Sequence, residues 1–335
     1  DQMDAGLAAL VVGAGSIGMR HARNLDRLGA AVAVVDADPD ARSRAIETLG
    51  VDAYADLKEA LATAKPDVAV VCTPNSTHVE VATTAARRGC DLFVEKPLSH
   101  AMDGVADLEA RIVDRDLVTL VGCNLRFLPE LQKVKQLLED DAIGPVRAVR
   151  IQGGSYLPEW FPEKDYRDAY SARSDLGGGV ILDYIHEINY ARWLFGEFET
   201  VSAMTGQHSN LEIDTNDVAG ILARTANDLV CQFHLDYVQR PTSRSCHVVG
   251  EAGTICWSWS EERVRWFDVD AEAWRSYERP DGWELNDMYF DEMDHFLDSV
   301  IGRSPTICPM SCGRRDIEVA LAARESAASG RHVSL

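Results

Sequence analysis

The stretch LAALVVGAGSIGMRHARNLDRLGAAVAVVDADPD, residues 7–40, decides the expected fold. Two apolar runs, Leu10–Val12 and Val32–Val35, flank glycines in GxGxxG spacing and a segment with a helix-like pattern. Strand, turn, helix and strand within about thirty residues is the context in which this glycine pattern predicts a dinucleotide-binding unit. We therefore expect the chain to open with a parallel α/β sheet of the Rossmann type.

Each glycine of the pattern has a different expected task. Gly13 permits a tight turn, Gly15 lets the backbone approach a pyrophosphate, and Gly18 lets the helix pack closely on the strand. The helix then begins at Ser16 and Ile17, where unpaired N–H groups and the positive end of the helix dipole favour phosphate. We predict that these five residues bind the cofactor.

An acid at the end of the second strand bears on which dinucleotide is bound. Asp36 lies 18 residues after Gly18, close to the roughly 20 expected for the carboxylate that binds a ribose diol. Such a carboxylate accepts two hydroxyl hydrogen bonds and repels a 2′-phosphate, so we expect NAD rather than NADP. Alternatively, the glycines only close a turn and Asp36 caps the next loop, but the two strands and the acid together favour the cofactor site.

Composition narrows the class of protein. The 335 residues suffice for two domains, and 46% apolar with 26% charged residues is typical of a globular protein. The 54 acidic against 33 basic residues give a net charge of −21, which disfavours nucleic acid and anionic membranes as partners. The eight cysteines are scattered without a CxxC pair, so we expect reduced thiols in the cytoplasm and no bound metal. We also expect no leader and no membrane span.

Polar residues follow a third apolar run, which has the pattern of a buried parallel strand. The run VAVVC, residues 68–72, ends at Thr73, Pro74 and Asn75, and a helix is expected to begin near His78. Because ligands of such sheets bind at the carboxyl ends of the strands, we predict that all four residues contact the cofactor. A helix cap is the ordinary alternative for Asn75, and the two roles are compatible.

The next apolar run, Asp91–Val94, ends at Glu95, Lys96 and Pro97. A lysine just past a buried strand is unusual, because its ammonium must be paired or desolvated. Pro97 restricts Lys96 to an extended conformation and so limits where its side chain points. Lys96 is expected at the same edge of the sheet as Asn75, and Glu95 is expected to pair with an ammonium or contact the cofactor ribose. The alternative is a surface lysine in a turn.

Three segments resemble the Gfo/Idh/MocA family of NAD(P)-dependent sugar and cyclitol dehydrogenases. They are VVGAGSIGMRHARNL (residues 11–25), TPNSTHVEVATTAARRGCDLFVEKPLS (residues 73–99) and LGGGVILDYIHEINYARWLFG (residues 176–196). The resemblance implies that Lys96 lies between the nicotinamide and the substrate. With the strand pattern, it predicts a doubly wound Rossmann domain at 1–123 and an α+β domain at 124–335 with a large, open, mainly antiparallel sheet.

The start of the second domain holds further candidates. The resemblance places Asn124 and Arg126 in the family's crossover segment, so we predict Asn124 at the cofactor and Arg126 at the substrate. The segment YLPEWFPEKDYRDAYSAR, residues 156–173, is dense in Trp, Tyr and Arg. Its Trp160 and Tyr166 are predicted to contact a sugar, because aromatic faces stack on sugar C–H groups. An oligomer contact is the open alternative for this segment.

Asp183 and His186 follow three glycines, residues 177–179, in a stretch with a helical pattern. Three residues apart, they are expected to share one helix face. A histidine on a buried helix is more often a hydrogen-bonded core residue, but the resemblance makes these two residues the family's aspartate and histidine. The family's usual spacing is four, so the departure bears on the expected role of Asp183 more than on that of His186.

Alternating polar and apolar residues predict antiparallel strands at 201–205, 216–224, 229–238, 245–250, 253–258 and 262–267. One face of this sheet should pack on helices of its own domain. The other face, with Trp257, Trp259 and Trp266, is expected to be an inter-subunit surface. The resemblance implies that such sheets pair to make homodimers or homotetramers.

The predicted activity is hydride transfer between NAD and a secondary alcohol or ketone of a sugar, a cyclitol or a sugar derivative. Oxidation of an alcohol requires a base for the hydroxyl proton, and His186 is the candidate because an unperturbed imidazole has a pKa of about 6.5. Asp183 would orient His186, and Lys96 would stabilise the developing alkoxide. Two alternatives stay open: an NAD-dependent lyase or glycosidase that oxidises its substrate only transiently, and a non-enzymatic dinucleotide-binding sensor.

Overall fold

The computed structural model describes residues 6–160, 162 and 165–335. Among the helices in these ranges, none combines the length with the apolar composition that a membrane span requires. The described chain forms two compact units: the chain up to Asn124 with Leu285–Arg315, and Leu125–Glu284 with Asp316–Leu335. The predicted division into 1–123 and 124–335 treats each domain as one continuous stretch and stays a prediction. It does not include the return of residues 285–315 to the first unit.

The first unit is built on a parallel sheet. Its strands are β1 (Ala8–Val12), β2 (Ala31–Val35), β3 (Asp52–Tyr54), β4 (Val68–Val71), β5 (Asp91–Glu95) and β6 (Thr119–Gly122). Its helices are α1 (Ser16–Arg27), α2 (Pro39–Leu49), α3 (Leu57–Thr63), α4 (His78–Ala86), α5 (Val105–Asp114) and, from later in the chain, α9 (Leu285–Gly302). The strand order is β3-β2-β1-β4-β5-β6. The order changes direction between β1 and β4, where doubly wound sheets bind their ligands.

Continuous apolar runs explain why the central strands are buried on both faces. The side chains of Leu10 in β1, Val70 in β4 and Phe93 in β5 are fully buried. Helix α1 contributes Leu25 to the core cluster that contains Val70 and Phe93, and α9 adds Phe296, whose ring centroid lies 5.8 Å from that of Phe93. Burial of apolar surface on this scale is the main stabilising contribution to such a domain.

The second unit is built on a mainly antiparallel sheet. Its strands are β7 (Val146–Gly154), β8 (Phe198–Gly206), β9 (Val218–Thr225), β10 (Val230–Asp236), β11 (Ser243–Gly250), β12 (Gly253–Ser258), β13 (Arg263–Asp268), β14 (Ala273–Glu278) and β15 (Val333–Ser334). Its helices are α6 (Pro129–Glu139), α7 (Val180–Asp183) and α8 (Ile185–Phe195), and α10 (Met310–Ser329) enters it from the first unit. The order is β14-β13-β12-β11-β7-β10-β9-β8-β15, with β7 and β10 parallel. This succession of sheets confirms the predicted fold class.

One face of this sheet packs on helices, as the alternation predicts. In β9, the buried Ala219, Ile221 and Ala223 alternate with exposed residues. Trp257 on β12 is only 1% exposed and packs edge-on against Tyr190 of α8, with ring centroids 5.9 Å apart. The expectation that Trp257 belongs to an exposed inter-subunit face is therefore wrong, because α8 covers it.

Trp266 and Trp259 also have partners within the unit. The Lys133 ammonium of α6 lies 5.5 Å from the centre of the Trp266 ring, and the Arg279 guanidinium lies 5.0 Å from that of Trp259. On the opposite, open face of the sheet the exposed tryptophan is Trp274 of β14, with 50% relative exposure. The three tryptophans expected on the outer face therefore do not form it.

Candidate active site

The glycine turn after β1 is tight. Gly13 has a φ of +98°, a conformation that residues with a side chain rarely adopt. A Cβ atom on Gly13 would lie 2.7 Å from the carbonyl oxygen of Cys72. A Cβ atom on Gly18 would lie 1.8 Å from the carbonyl oxygen of Gly13, so α1 packs directly against the turn. Both positions therefore require glycine.

The space next to this turn suits a pyrophosphate. In contrast to Gly13 and Gly18, a Cβ atom built on Gly15 meets no heavy atom within 4 Å. Helix α1 begins at Ser16 and Ile17, with no acidic residue in its first turn and no side-chain cap from Gly15. The first N–H groups and the positive dipole end of α1 can therefore bind an anion. The residues present fit the diphosphate of a dinucleotide.

Asp36 follows β2 and is fixed by backbone donors. Its Oδ2 accepts a hydrogen bond from the Ala14 N–H at 2.7 Å, and its Oδ1 accepts one from the Asp38 N–H at 2.9 Å. Each oxygen retains a second lone pair for a ribose hydroxyl. Arg42 donates through Nη1 to the main-chain carbonyls of Asp36 and Ala37, at 2.7 and 2.9 Å. A carboxylate held beside the glycine turn favours a ribose diol over a 2′-phosphate.

The loop after β4 carries Thr73, Pro74 and Asn75, which lead through a short 3-10 turn into α4. Asn75 is buried. The buried His78 ring contacts two main-chain carbonyls: Nε2 lies 2.7 Å from the Thr73 oxygen, and Nδ1 lies 2.8 Å from the Pro97 oxygen. His78 thus contacts the loops after β4 and β5. The predicted cofactor contacts of Thr73, Pro74, Asn75 and His78 stay predictions.

Glu95 and Lys96 follow at the end of β5, the strand next to β4. Glu95 Oε1 lies 2.6 Å from His21 Nε2, and Glu95 Oε2 accepts a hydrogen bond from the Lys96 N–H at 3.1 Å. Gly122 of β6 leaves room for this carboxyl group, because a Cβ atom there would lie 3.1 Å from it. The Glu95 carboxyl group is directed into the unit, and its predicted contact with the cofactor ribose stays a prediction. Asn124, buried just after β6, likewise stays a predicted cofactor contact.

Two further buried groups at this place, His21 and Glu292, were missed by the sequence reasoning. Burial, and then the negative charge of Glu95, raise the pKa of Glu292 well above its usual value, so the neutral acid is favoured. Burial and the same two acids raise the pKa of the Cys72 thiol. The sequence signal for His21 is its place three residues after Gly18 on α1. Glu292 has no comparable signal, because it lies far away in the chain.

In the second unit, Asp183 and His186 lie on two different helices. Asp183 is the last residue of α7, His186 is the second residue of α8, and Tyr184 between them has φ −91° and ψ 30°. The expectation that the two residues share one face of a continuous helix is therefore wrong. Both side chains are buried.

Tyr237, at the end of β10, holds Asp183. Its hydroxyl donates to Asp183 Oδ2 over 2.5 Å, and burial, followed by the negative charge of Asp183, raises the pKa of Tyr237 well above 10. Trp160 packs edge-on against Tyr237 and Tyr184, with ring centroids 5.5 and 6.0 Å away, and donates through Nε1 to Ser155 Oγ. Trp160 and Asp183 thus both contact Tyr237, which the sequence analysis did not predict as a site residue.

Arg126 and Tyr166 have other neighbours. Arg126 is buried, donates through Nε to Asn189 Oδ1 at 2.7 Å and lies 5.6 Å from the centre of the Trp193 ring. The Tyr166 hydroxyl accepts a hydrogen bond from the Glu212 N–H at 3.1 Å. The substrate contacts of both residues stay predictions. Residues 161, 163 and 164 of the same segment lie outside the described residues.

A doubly wound sheet with a phosphate-binding glycine turn and an acid at the ribose position defines a dinucleotide-binding Rossmann protein. The sequence model of the oxidoreductase family with an NAD-binding Rossmann fold matches residues 7–123, and that of the GFO/IDH/MocA C-terminal domain matches residues 131–256. The chain therefore belongs to the GFO/IDH/MocA family of oxidoreductases. This match confirms the resemblance to the family, and it confirms the prediction that the cofactor is NAD.

Individual relatives extend this comparison. The myo-inositol 2-dehydrogenase of Thermotoga maritima is 32% identical over 191 residues, which are 56% of this chain and 54% of that protein. The chain thus spans about half the length of that relative. The inositol 2-dehydrogenase of Rhizobium meliloti is 26% identical over 97% of this chain and 98% of that protein. The structure of levoglucosan dehydrogenase with NADH and levoglucosan shares the fold, with a TM-score of 0.89, 20% identity and coverage of 98% and 99%.

Proposed function

We propose that the chain catalyses NAD-dependent oxidation of a secondary alcohol in a sugar, a cyclitol or a sugar derivative, and the reverse reduction of the ketone. The observation that carries the proposal is the position of Lys96 at the carboxyl end of β5, in the order β1-β4-β5. The glycine turn and Thr73 follow the other two strands at the same edge, where such sheets bind dinucleotides. Relatives named inositol dehydrogenases support the substrate class.

The proposed chemistry divides the work between three side chains. When bound, NAD supplies the acceptor for the hydride of the alcohol carbon. His186 takes the hydroxyl proton, since an imidazole exchanges protons near neutral pH. The Lys96 ammonium stabilises negative charge as it develops on the oxygen. Asp183, held by the Tyr237 hydroxyl, orients His186. The scheme uses no metal ion.

We also propose that the chain forms a homodimer or homotetramer through the open face of its second sheet. Leu222 and Val230, on the neighbouring strands β9 and β10, and Trp274, on the edge strand β14, are each at least 39% exposed on this face. They offer a second copy apolar surface at two places on the sheet. A cytoplasmic location is proposed because the eight cysteines are unbridged thiols, as expected in a reducing compartment. The acidic balance of the chain disfavours nucleic acid and membrane partners.

A substrate screen tests the activity. The protein is mixed with myo-inositol, levoglucosan and a panel of sugars and sugar nucleotides, with NAD or NADP, and NADH is followed by its absorbance. We expect NADH to form with NAD from at least one polyol, and much less product with NADP. Lys96→Ala should lower turnover by about 10²–10³-fold, whereas Lys58→Ala, on the exposed side of α3, should leave it unchanged. Substrate conversion without net NADH, or tight NAD binding without any conversion, would contradict the proposal.

A further inference from the structure

Two buried histidines flank the Lys96 peptide. His21 of α1 contacts the side chain of Glu95, which precedes Lys96, and His78 of α4 contacts the carbonyl of Pro97, which follows it. Both histidines belong to the first unit, and their relative exposures are 0% and 1%. The backbone that carries the Lys96 side chain is thus held on both sides by an imidazole ring.

On the Glu95 side, the contacts leave little freedom. His21 Nε2 lies 2.6 Å from one carboxyl oxygen of Glu95, and the other oxygen accepts the Lys96 N–H at 3.1 Å. The His21 ring packs against the rings of Phe93 and Tyr289, with centroid distances of 4.8 and 6.0 Å. The Glu95 carboxyl group, and with it the Lys96 N–H, cannot turn away without displacing a packed ring.

On the Pro97 side, the His78 ring bridges two carbonyl groups, those of Pro97 and Thr73, at 2.8 and 2.7 Å. Carbonyl oxygens only accept hydrogen bonds, so an imidazole with two protons bonds to both and a neutral imidazole bonds to one. Burial and the positive charge of Lys96 lower the pKa of His78, whereas the two carbonyls and Glu95 raise it, and the net direction is down. The doubly protonated ring links the loop after β4 to the loop that carries Lys96 by two hydrogen bonds, whereas the neutral ring bonds to one of these loops and packs against the other.

We infer that His21 and His78 are positioning residues for Lys96, which they influence only through Glu95 and Pro97. The inference rests on the proposed function, in which the Lys96 ammonium must reach the reacting oxygen. A lysine side chain is a flexible four-carbon stem, so the position of its charge depends on a fixed backbone at its root. Displacing a reacting group by about 1 Å costs about 10²-fold in rate.

The inference is tested by removing the ring nitrogens with His21→Phe and His78→Phe, each in the otherwise unchanged protein and in the Lys96→Ala background. Single-turnover hydride transfer from myo-inositol to NAD is measured, together with both KM values. Each Phe substitution should lower the rate by about 10²-fold when Lys96 is present. In the Lys96→Ala background the further loss should stay below about twofold, because no ammonium remains to be misplaced. His78→Gln should recover part of the rate, since its amide still donates to a carbonyl.

Two further variants distinguish an effect on the position of Lys96 from an effect on folding. Gly122→Ala keeps every polar group but places a methyl group 3.1 Å from the Glu95 carboxyl group, and its effect should depend on Lys96 in the same way. His295→Phe is the matched control, because this histidine of the same unit also contacts the main chain, its Nε2 accepting the Ile307 N–H at 2.9 Å. It should lower stability and leave the single-turnover rate unchanged.

The outcomes separate the inference from the function on which it rests. A loss confined to proteins that contain Lys96, with recovery in His78→Gln, would support the inference. Equal losses with and without Lys96 would overturn it, since the histidines would then act on another part of the protein. If Lys96→Ala alone left the rate unchanged, the proposed role of Lys96 would fail first, and the positioning inference with it.

Discussion

Replacing Tyr237 by Phe removes one hydroxyl group beside Asp183 and leaves the ring unchanged. This hydroxyl donates to Asp183 Oδ2 over 2.5 Å, and both residues are buried. A hydrogen bond to a charged group contributes about 1.5–3 kcal/mol. The edge-on contact with Trp160, at 5.5 Å between ring centroids, should survive the change, so no cavity is created. We therefore expect Tyr237→Phe to lower the free energy of unfolding by about 1.5–3 kcal/mol.

The same substitution should slow hydride transfer, because Asp183 then orients His186 less well. If the whole energy of the hydrogen bond serves this orientation, the rate falls by about tenfold to about 150-fold. A smaller loss means that part of the energy only stabilises the fold. The KM for NAD should stay the same, since Tyr237 belongs to the second unit.

Urea unfolding and single-turnover kinetics measure the two effects of Tyr237→Phe. Tyr277→Phe on β14 is the control and should change the free energy of unfolding by less than about 0.5 kcal/mol. Burial and Asp183 raise the pKa of Tyr237, so its contribution is present at neutral pH and is lost only as the pH rises above about 10, where the unfolded tyrosine ionises. Unchanged stability together with an unchanged rate would refute the reasoning.

Three further substitutions have defined outcomes. Gly18→Ala places a Cβ atom 1.8 Å from the Gly13 carbonyl oxygen, so NAD affinity, measured by fluorescence titration, should fall at least about tenfold; wild-type affinity would contradict the tight turn. Asp36→Ser should reduce the preference for NAD over NADP, as a ratio of kcat/KM values, by about tenfold or more, and an unchanged ratio would contradict the role of the carboxylate. Burial and the negative charge of Glu95 raise the pKa of Glu292 above the value of about 4.3 that it has in the unfolded chain. The free energy of unfolding of the wild-type protein therefore falls as the pH rises from about 4.3 through the raised pKa. Glu292→Gln lacks this titration and should not show the fall. The variant should therefore gain stability relative to wild type as the pH rises above about 4.3 in urea unfolding, and a constant difference would contradict the raised pKa of Glu292.

The first sheet could be predicted from the sequence because its determinants are local. The glycine pattern, the apolar runs and the acid after β2 all lie within residues 7–40. The polar residues at the ends of β4 and β5 come to one edge because neighbouring parallel strands end on the same side. In the second sheet, the predicted strand 253–258 matches β12, since its alternation is strong.

Other features depend on contacts between distant parts of the chain. The Tyr237–Asp183 hydrogen bond joins residues 54 positions apart, and Glu292 reaches the first unit from the far end of the sequence. Strand β14 was missed because nearly all its residues are exposed, so it lacks a buried apolar row. The break at Tyr184 was missed because the apolar pattern continues through it from α7 to α8. Periodicity also could not tell which face α8 covers, which is why Trp257 was assigned to the wrong face.

Single-turnover hydride transfer from myo-inositol to NAD, measured in Lys96→Ala and in His186→Ala, tests the proposed activity most directly. Loss of the charge at Lys96 should lower the rate by about 10²–10³-fold, and loss of the base at His186 by about 10²–10⁴-fold. Both variants should still bind NAD, because the glycine turn and Asp36 are unchanged. Near-normal rates in both variants would contradict the account.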